Sequence, residues 1–195
     1  MNRCKLVFAT LGATALLCTV VGAASARNLS ISTQTLRATW QNIEVSESLG
    51  TTVRCQLTLE GSFHARTHMK VVGTLIGNIN RAAMACPVFE WRVLTATLPW
   101  HVRYRLFAGV LPNIVGYWTS IVGFAIQIRD AFGRICLGTS TAEQPFMLDF
   151  TRAMSGSFTE ARASGSFPAT CMGAENTLTF AGRATAFQAA TLTLI

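Results

Sequence analysis

This sequence is short of acid. Nine Asp and Glu stand against sixteen Lys and Arg in 195 residues, and only 13% of the chain is charged. Sugar hydrolysis by paired carboxylates draws on two cooperating acids, and the nearest pair is Glu44 and Glu47. On a strand, an offset of three sends those two side chains to opposite faces. Histidine is scarcer still, at three residues. No C-x-x-C occurs, which removes the usual signature of thioredoxin-like redox work and of zinc ribbons. The G-x-S-x-G elbow, the phosphate loop G-x-x-x-x-G-K-[ST] and G-x-G-x-x-G are all missing. Serines, Asp130 and Asp149 are present, but no motif gathers them with a histidine. No catalytic residue, metal ligand or cofactor is assigned from these patterns.

What is present begins with an export signal. Arg3 and Lys5 form a positive start, Leu6 to Val21 is apolar, and Gly22-Ala23-Ala24-Ser25-Ala26 is a small-residue run of A-x-A type. This predicts a secretory signal peptide over 1–26, with cleavage after Ala26. Cys18 is not read as a lipidation site, because Leu17 stands where a small residue is needed. The remainder, 27–195, is long enough for one domain with its own core, and no linker or charge block divides it.

Cys4 and Cys18 leave with the signal, so Cys55, Cys86, Cys136 and Cys171 remain. An even count in an exported chain predicts two disulfides. Neighbours in a strand meander meet most readily, which favours Cys55–Cys86 and Cys136–Cys171 among the three pairings. Removing Arg3 and Lys5 leaves fourteen basic residues against nine acidic ones, a balance of +5. Lys70 is the one lysine after the signal. A mildly basic surface keeps a protein soluble and also suits an anionic partner. The arginines come singly, with no basic run and no nucleic-acid module, so nucleic acid is not expected.

The hydrophobic period is two. In "TVRCQLTLEGSF", Val53, Cys55, Leu57, Leu59 and Phe63 alternate with Arg54, Gln56, Thr58, Glu60 and Ser62. In "HVRYRLF", Val102, Tyr104 and Leu106 alternate with His101, Arg103 and Arg105, and in "GFAIQI" Phe124, Ile126 and Ile128 share a face. Half-buried strands require this pattern. It predicts strands over 37–46, 52–63, 69–79, 89–97, 101–108, 113–121, 123–129, 135–139, 155–161, 164–170, 177–181 and 186–194. "NRAAMAC" (80–86) and "TAEQPF" (141–146) read as short helical turns. "SGSF" at 155–158 recurs at 164–167, either as the two arms of a hairpin turning near Ala161 or because Gly and Ser are common in strands that cross closely. The fold class is all-β: an antiparallel barrel or sandwich of about 9–12 short strands.

"LFAGVLPNIVGYWTSIVGFAIQI" (106–128) contains no charge and is long enough to cross about 30 Å of hydrocarbon as a helix. Pro112-Asn113 is a turn former, however, glycines punctuate the run, and β-branched residues crowd it. The reading is a strand ending near Val110, a turn at 111–113, and strands 113–121 and 123–129, with no transmembrane helix after the signal. An outer-membrane barrel is a further alternative, opposed by four cysteines, a final Ile and the lack of aromatic girdles.

Three groups remain as candidate sites. His64 and His68 in "FHARTHMK" have metal-ligand spacing only on a helix, and with Arg66 and Lys70 beside them they read as two solvated residues at a loop tip. His101 reads as a surface residue. Trp91, Trp100, Tyr104, Tyr117, Trp118 and Phe124 could line a cavity for a small apolar ligand, or form an ordinary core. Arg92, Arg103 and Arg105 are candidate contacts to an anionic polymer.

"TTVRCQLTLEGSFHARTHMKVVGTLIG" and "LPWHVRYRLFAGVLPNI" resemble segments of uncharacterised exported proteins of actinobacteria, over residues 38–139. The resemblance implies a bacterial, exported, single-domain setting, and no activity. Taken together, the expectation is a secreted or envelope-associated, non-catalytic binding domain, with a β-barrel carrier of an apolar ligand as the alternative and a hydrolase or an outer-membrane barrel ranked after it.

Overall fold

Period-two patterning becomes strand almost throughout the computed structural model, which describes residues 28–48, 50–87, 91–110, 113–129, 132–152, 158–171, 174–187 and 191–194. The expected signal peptide, with Ala26, Cys4 and Cys18, lies outside the described residues, as do Leu111 and Pro112 of the expected turn. The strands are β1 (Asn28–Ile31), β2 (Thr35–Glu47), β3 (Thr52–Phe63), β4 (Thr67–Met69), β5 (Leu75–Ala85), β6 (Arg92–Val93), β7 (Trp100–Val110) and β8 (Asn113–Val122). They continue with β9 (Ala125–Arg129), β10 (Ile135–Thr139), β11 (Phe146–Arg152), β12 (Phe158–Cys171), β13 (Ala174–Arg183), β14 (Ala186–Phe187) and β15 (Leu192–Leu194). A 3₁₀ turn, Thr95–Thr97, follows β6.

Eight antiparallel strands close on themselves in the order β11, β8, β7, β5, β3, β2, β13, β12, because β12 pairs again with β11. Of barrel and sandwich, the barrel is the one that forms, as a single domain. Closure removes sheet edges, which are costly when left exposed. One long strand then serves two neighbours along the same side. Residues 158–164 of β12 pair with β11, and residues 169–171 pair with β10. β10 carries β9, and β9 carries β6. A small sheet of order β15-β1-β4 packs against the barrel, with Leu29 and Ile31 buried beneath it.

The alternation expected for β3 is met: Val53, Cys55, Leu57, Leu59 and Phe63 are buried. The uncharged run 106–128 becomes the end of β7, β8 and β9, and Gly123 takes φ +89° between β8 and β9, where a side chain is disfavoured. Phe124, Ile126 and Ile128 are fully buried. Among the described residues, no helix is long and apolar enough to cross a membrane.

Several expected elements are corrected. The strand placed at 69–79 is two pieces, with a turn at 70–74 between β4 and β5, and the helical turn at 80–86 is the second half of β5. The strand at 89–97 shrinks to Arg92–Val93 and the 3₁₀ turn. Where a helical turn was expected at 141–146, residues 141–145 form a bend and β11 begins at Phe146. No hairpin turns at Ala161: β12 runs straight through it, and Ala161 faces the interior opposite Phe150. Bulges account for the slips in parity. A register shift between Tyr104 and Leu106 turns Leu106 outward, 49% exposed, while Phe107 packs against the core instead.

Candidate functional site

Aromatic rings fill the barrel. Phe124 stacks on Phe146 with centroids 4.5 Å apart and meets Trp100 at 4.9 Å, Phe180 at 5.5 Å and Phe167 at 5.9 Å. Towards the small sheet, Tyr117 meets Tyr104 at 5.9 Å and Phe150 at 6.1 Å. Five of the six candidate ligand-lining residues, Trp91, Trp100, Tyr104, Tyr117 and Phe124, are therefore buried core side chains, and Trp100, Tyr104, Tyr117 and Phe124 are in direct ring contact with other core rings. Their polar atoms are used internally: Trp100 Nε1–H donates to Thr97 Oγ1 (2.7 Å), and Trp91 Nε1–H donates to the Arg129 carbonyl (3.1 Å). Trp118 is on the opposite side of β8. It lies over Gly116, where an added Cβ would come within 2.5 Å of the indole.

His68 departs from the solvated loop tip that its neighbours suggest. It is 3% exposed, and only His64 faces solvent. Placed by β4 under the small sheet, the His68 ring packs on Phe63 at 5.1 Å. Its Nε2 bonds the Ala65 carbonyl at 2.7 Å, so Nε2 carries the hydrogen, and Nδ1 accepts from the Tyr117 hydroxyl at 3.3 Å. Burial lowers its proton affinity, the bond to Ala65 opposes this, and the charge of His64 adds to the lowering. Burial also raises the Tyr117 and Tyr104 hydroxyls above their ordinary value. The spacing H-x-x-x-H gave no hint of this, because the signal lies in the tertiary approach of β4 to β8. Among the described residues, no three His, Cys, Asp or Glu side chains gather as a metal would need.

A second buried polar group went unnoticed in the sequence. Glu47 and Glu44 do fall on opposite sides of β2, and Glu47 is 4% exposed. Asn176 Nδ2–H donates to Glu47 Oε2 at 3.0 Å, while Asn176 Oδ1 accepts from the Ser48 N–H and hydroxyl at 3.0 and 2.6 Å. This knot ties the β2–β3 turn to β13. Glu44 pairs with Arg54 at the surface.

The disulfides form as Cys55–Cys86 and Cys136–Cys171, the second between residues directly opposite in the β10–β12 ladder. They belong to an oxidising, extracytoplasmic compartment.

The arginines split. Arg92 stands on β6 and bonds Gln127 at 3.1 Å. Arg103 and Arg105 stand on β7, beside the turn 70–74. That turn is pinned to β7 by Gly73 N–H to the Tyr104 carbonyl (2.8 Å) and Tyr104 N–H to the Thr74 carbonyl (2.9 Å). Arg103 Nη1 donates to the Gly73 carbonyl, and Lys70 Nζ lies 5.5 Å over the Phe107 ring. Met69, Val71 and Val72 around this turn are 57%, 60% and 66% exposed. Three cations thus surround an apolar tip.

A groove of about 420 Å³ opens elsewhere, on the outer face of β3 and β5 beneath the 3₁₀ turn, lined by Thr58, Glu60, Arg81, Ala82, Ala83 and Leu98 among others. Glu60 is ion-paired with Arg37 at 3.2 Å.

The barrel exterior is polar on β2 and β3, while Leu75, Leu106 and Val115 stand exposed on β5, β7 and β8. Along β2 and β3 the outward residues include Arg37, Thr39, Glu44, Ser46, Arg54, Gln56, Thr58 and Glu60. An outer-membrane barrel needs the reverse, an apolar band outside.

Compared with known proteins, the chain matches no family model, and no curated protein and no solved structure matches it.

Proposed function

We propose that this chain is a non-catalytic, exported binding module that attaches to an anionic polymer of the cell envelope or of the extracellular surface. The cluster of Lys70, Arg103 and Arg105 around the exposed turn 70–74 carries the reading. None of the three is ion-paired among the described residues, so their positive charge is not neutralised by a carboxylate within the fold. Arg92 stands on β6, paired with β9 and bonded to Gln127, and is not counted with them. Two disulfides and the resemblance to exported actinobacterial proteins support an extracytoplasmic site of action. The carrier of a small apolar ligand is not favoured, since the rings that would line its cavity fill one another's space.

Retention of the non-reduced protein on immobilised polyphosphate and polyuronate tests the idea. Contacts of this kind weaken steeply with salt, because screening shortens to about 3 Å at molar ionic strength. The double variant Lys70→Glu/Arg105→Glu should elute at markedly lower salt than the parent. Retention that survives molar salt, or that the double variant leaves unchanged, would sink the proposal.

A further inference from the structure

We propose that the second half of β5 is a docking edge, to which an extended peptide carrying an acidic side chain adds as an extra strand. The inference goes beyond polymer binding, since it uses another surface and a different kind of partner.

The observation is a seam in an otherwise closed wall. β7 covers β5 only from Leu75 to Ile79. Beyond that, β5 keeps β3 on one side, through Arg81↔Glu60 to Ala85↔Gln56, and among the described residues it pairs with no strand on the other. The nearest candidate, β6, pairs with β9 alone and ends its sheet. Among the described residues, no backbone hydrogen bond reaches Asn80–Ala85 from that open side.

The edge is ordered and presented. Cys55–Cys86 fixes the end of β5 to β3, with Cα atoms 4.3 Å apart. That spacing is the one of a non-hydrogen-bonded pair, about 4.5 Å. By alternation, the N–H and C=O of Ala82 and Met84 point away from β3, into the seam. Native sheets blunt such edges with charge, proline or a covering loop; here the 3₁₀ turn stands beside the edge, but Ala82-Ala83-Met84-Ala85 itself carries neither charge nor proline.

The groove selects the occupant. Its volume of about 420 Å³ lies over this edge, between Arg81, Ala82 and Ala83 on one side and Thr95 and Leu98 on the other. A strand rises about 3.3 Å per residue, so Asn80–Ala85 offers roughly 20 Å, the length of a short peptide. The edge is recessed beneath the 3₁₀ turn, so a slender single strand reaches it and the same recessed edge of a second copy does not. Within the groove, Glu60 is neutralised by Arg37, which leaves the exposed Arg81 guanidinium as the charge to be met. The partner therefore supplies main-chain groups to β5 and a carboxylate to Arg81, the strand-addition mode of peptide recognition.

A random heptapeptide phage library selected on the non-reduced protein tests this, followed by synthesis of the recovered peptides. Enriched sequences should alternate β-branched residues and carry Asp or Glu. Their amide shift changes should map to Asn80–Cys86 and Arg92–Leu98. N-methylation of alternate peptide amides should weaken binding at least tenfold, and Arg81→Gln should weaken it severalfold. Ala83→Phe fills the groove from an exposed position and should abolish binding; if that variant fails to fold, the N-methylated peptides on the parent protein decide the matter. No enrichment, enrichment without acid, indifference to N-methylation, or shifts at the turn 70–74 would overturn the proposal. So would a dimer that Ala83→Phe dissolves, which would give the edge to a second copy.

Discussion

His68 is held neutral in the fold by burial, which lowers its proton affinity below the ordinary value of 6.5. The unfolded chain therefore takes up a proton more readily on acidification. The stability that His68 contributes is complete above about 6.5 and is lost as pH falls through the lowered folded value. Asp149 has the opposite sign: burial raises its carboxyl above 3.8 against the pull of Arg162, so its contribution is largest below 3.8 and is lost as pH rises through the raised value. Denaturant midpoints measured from pH 7 down to pH 5 should fall in the parent protein and stay level in His68→Gln. An equal slope in both would put the titrating group elsewhere. Glycine at 61 belongs to the same scale. β3 and β5 approach so closely that a Cβ on Gly61 would collide with the Asn78 carbonyl, and one on Gly77 would sit 2.5 Å from the Ser62 carbonyl. Gly61→Ala should cost about 1–3 kcal/mol, as overpacking does, read from urea unfolding. The sequence showed "GSF" as a possible repeat element, and only the crossing of two backbones shows why glycine stands there.

At the scale of the element, the strands legible in the sequence were those whose alternation is unbroken. β3 and β10 lie close to where their period placed them, because each presents one face to the core and the other to water; β8 and β9 are also close to their expected bounds, although consecutive residues such as Thr119, Ser120 and Ile121, or Ala125 and Ile126, are buried on both faces. β5 was misread beyond Ile79, since Arg81-Ala-Ala-Met-Ala has helix-forming composition and a register shift near Gly61 conceals its period. β12 was cut in two because Gly165 and its serines look like a turn; in the barrel, Gly165 passes within 3.3 Å of the Phe146 backbone position if given a Cβ. β10, β9 and β6 hang from the end of β12, and Cys136–Cys171 fastens them there across a separation of 35 residues. Loop-closure entropy values that link at about 3–4 kcal/mol. In Cys136→Ser/Cys171→Ser, amides of β9 and β10 should exchange with solvent much faster while those of β2 and β3 stay protected, by hydrogen exchange. Uniform loss of protection would mean that the flap and the barrel unfold as one unit.

For the whole molecule, the expected export and oxidation are tested together by the mass of the non-reduced protein recovered outside the cell. It should begin at Arg27 and be lighter than the reduced chain by four hydrogens, for two disulfides. A mass that retains 1–26 would return the signal reading to an anchor. The sequence by itself determined the all-β class, the cysteine pairs and the strand reading of the uncharged run. Those follow from local rules: side chains alternate along a strand, β-branched residues resist helix, and near neighbours in a meander meet. What only the tertiary structure decided is which surfaces are free. Period two says that a residue faces inward, but not whether the inside is empty; Phe124, Phe146, Phe167 and Phe180 come together from four different strands or turns and fill it. Lys70 joins Arg103 and Arg105 because a turn folds back onto β7, and β5 keeps an open edge because β7 stops short at Trp100. Such contacts link residues far apart in the chain, and no local pattern encodes them.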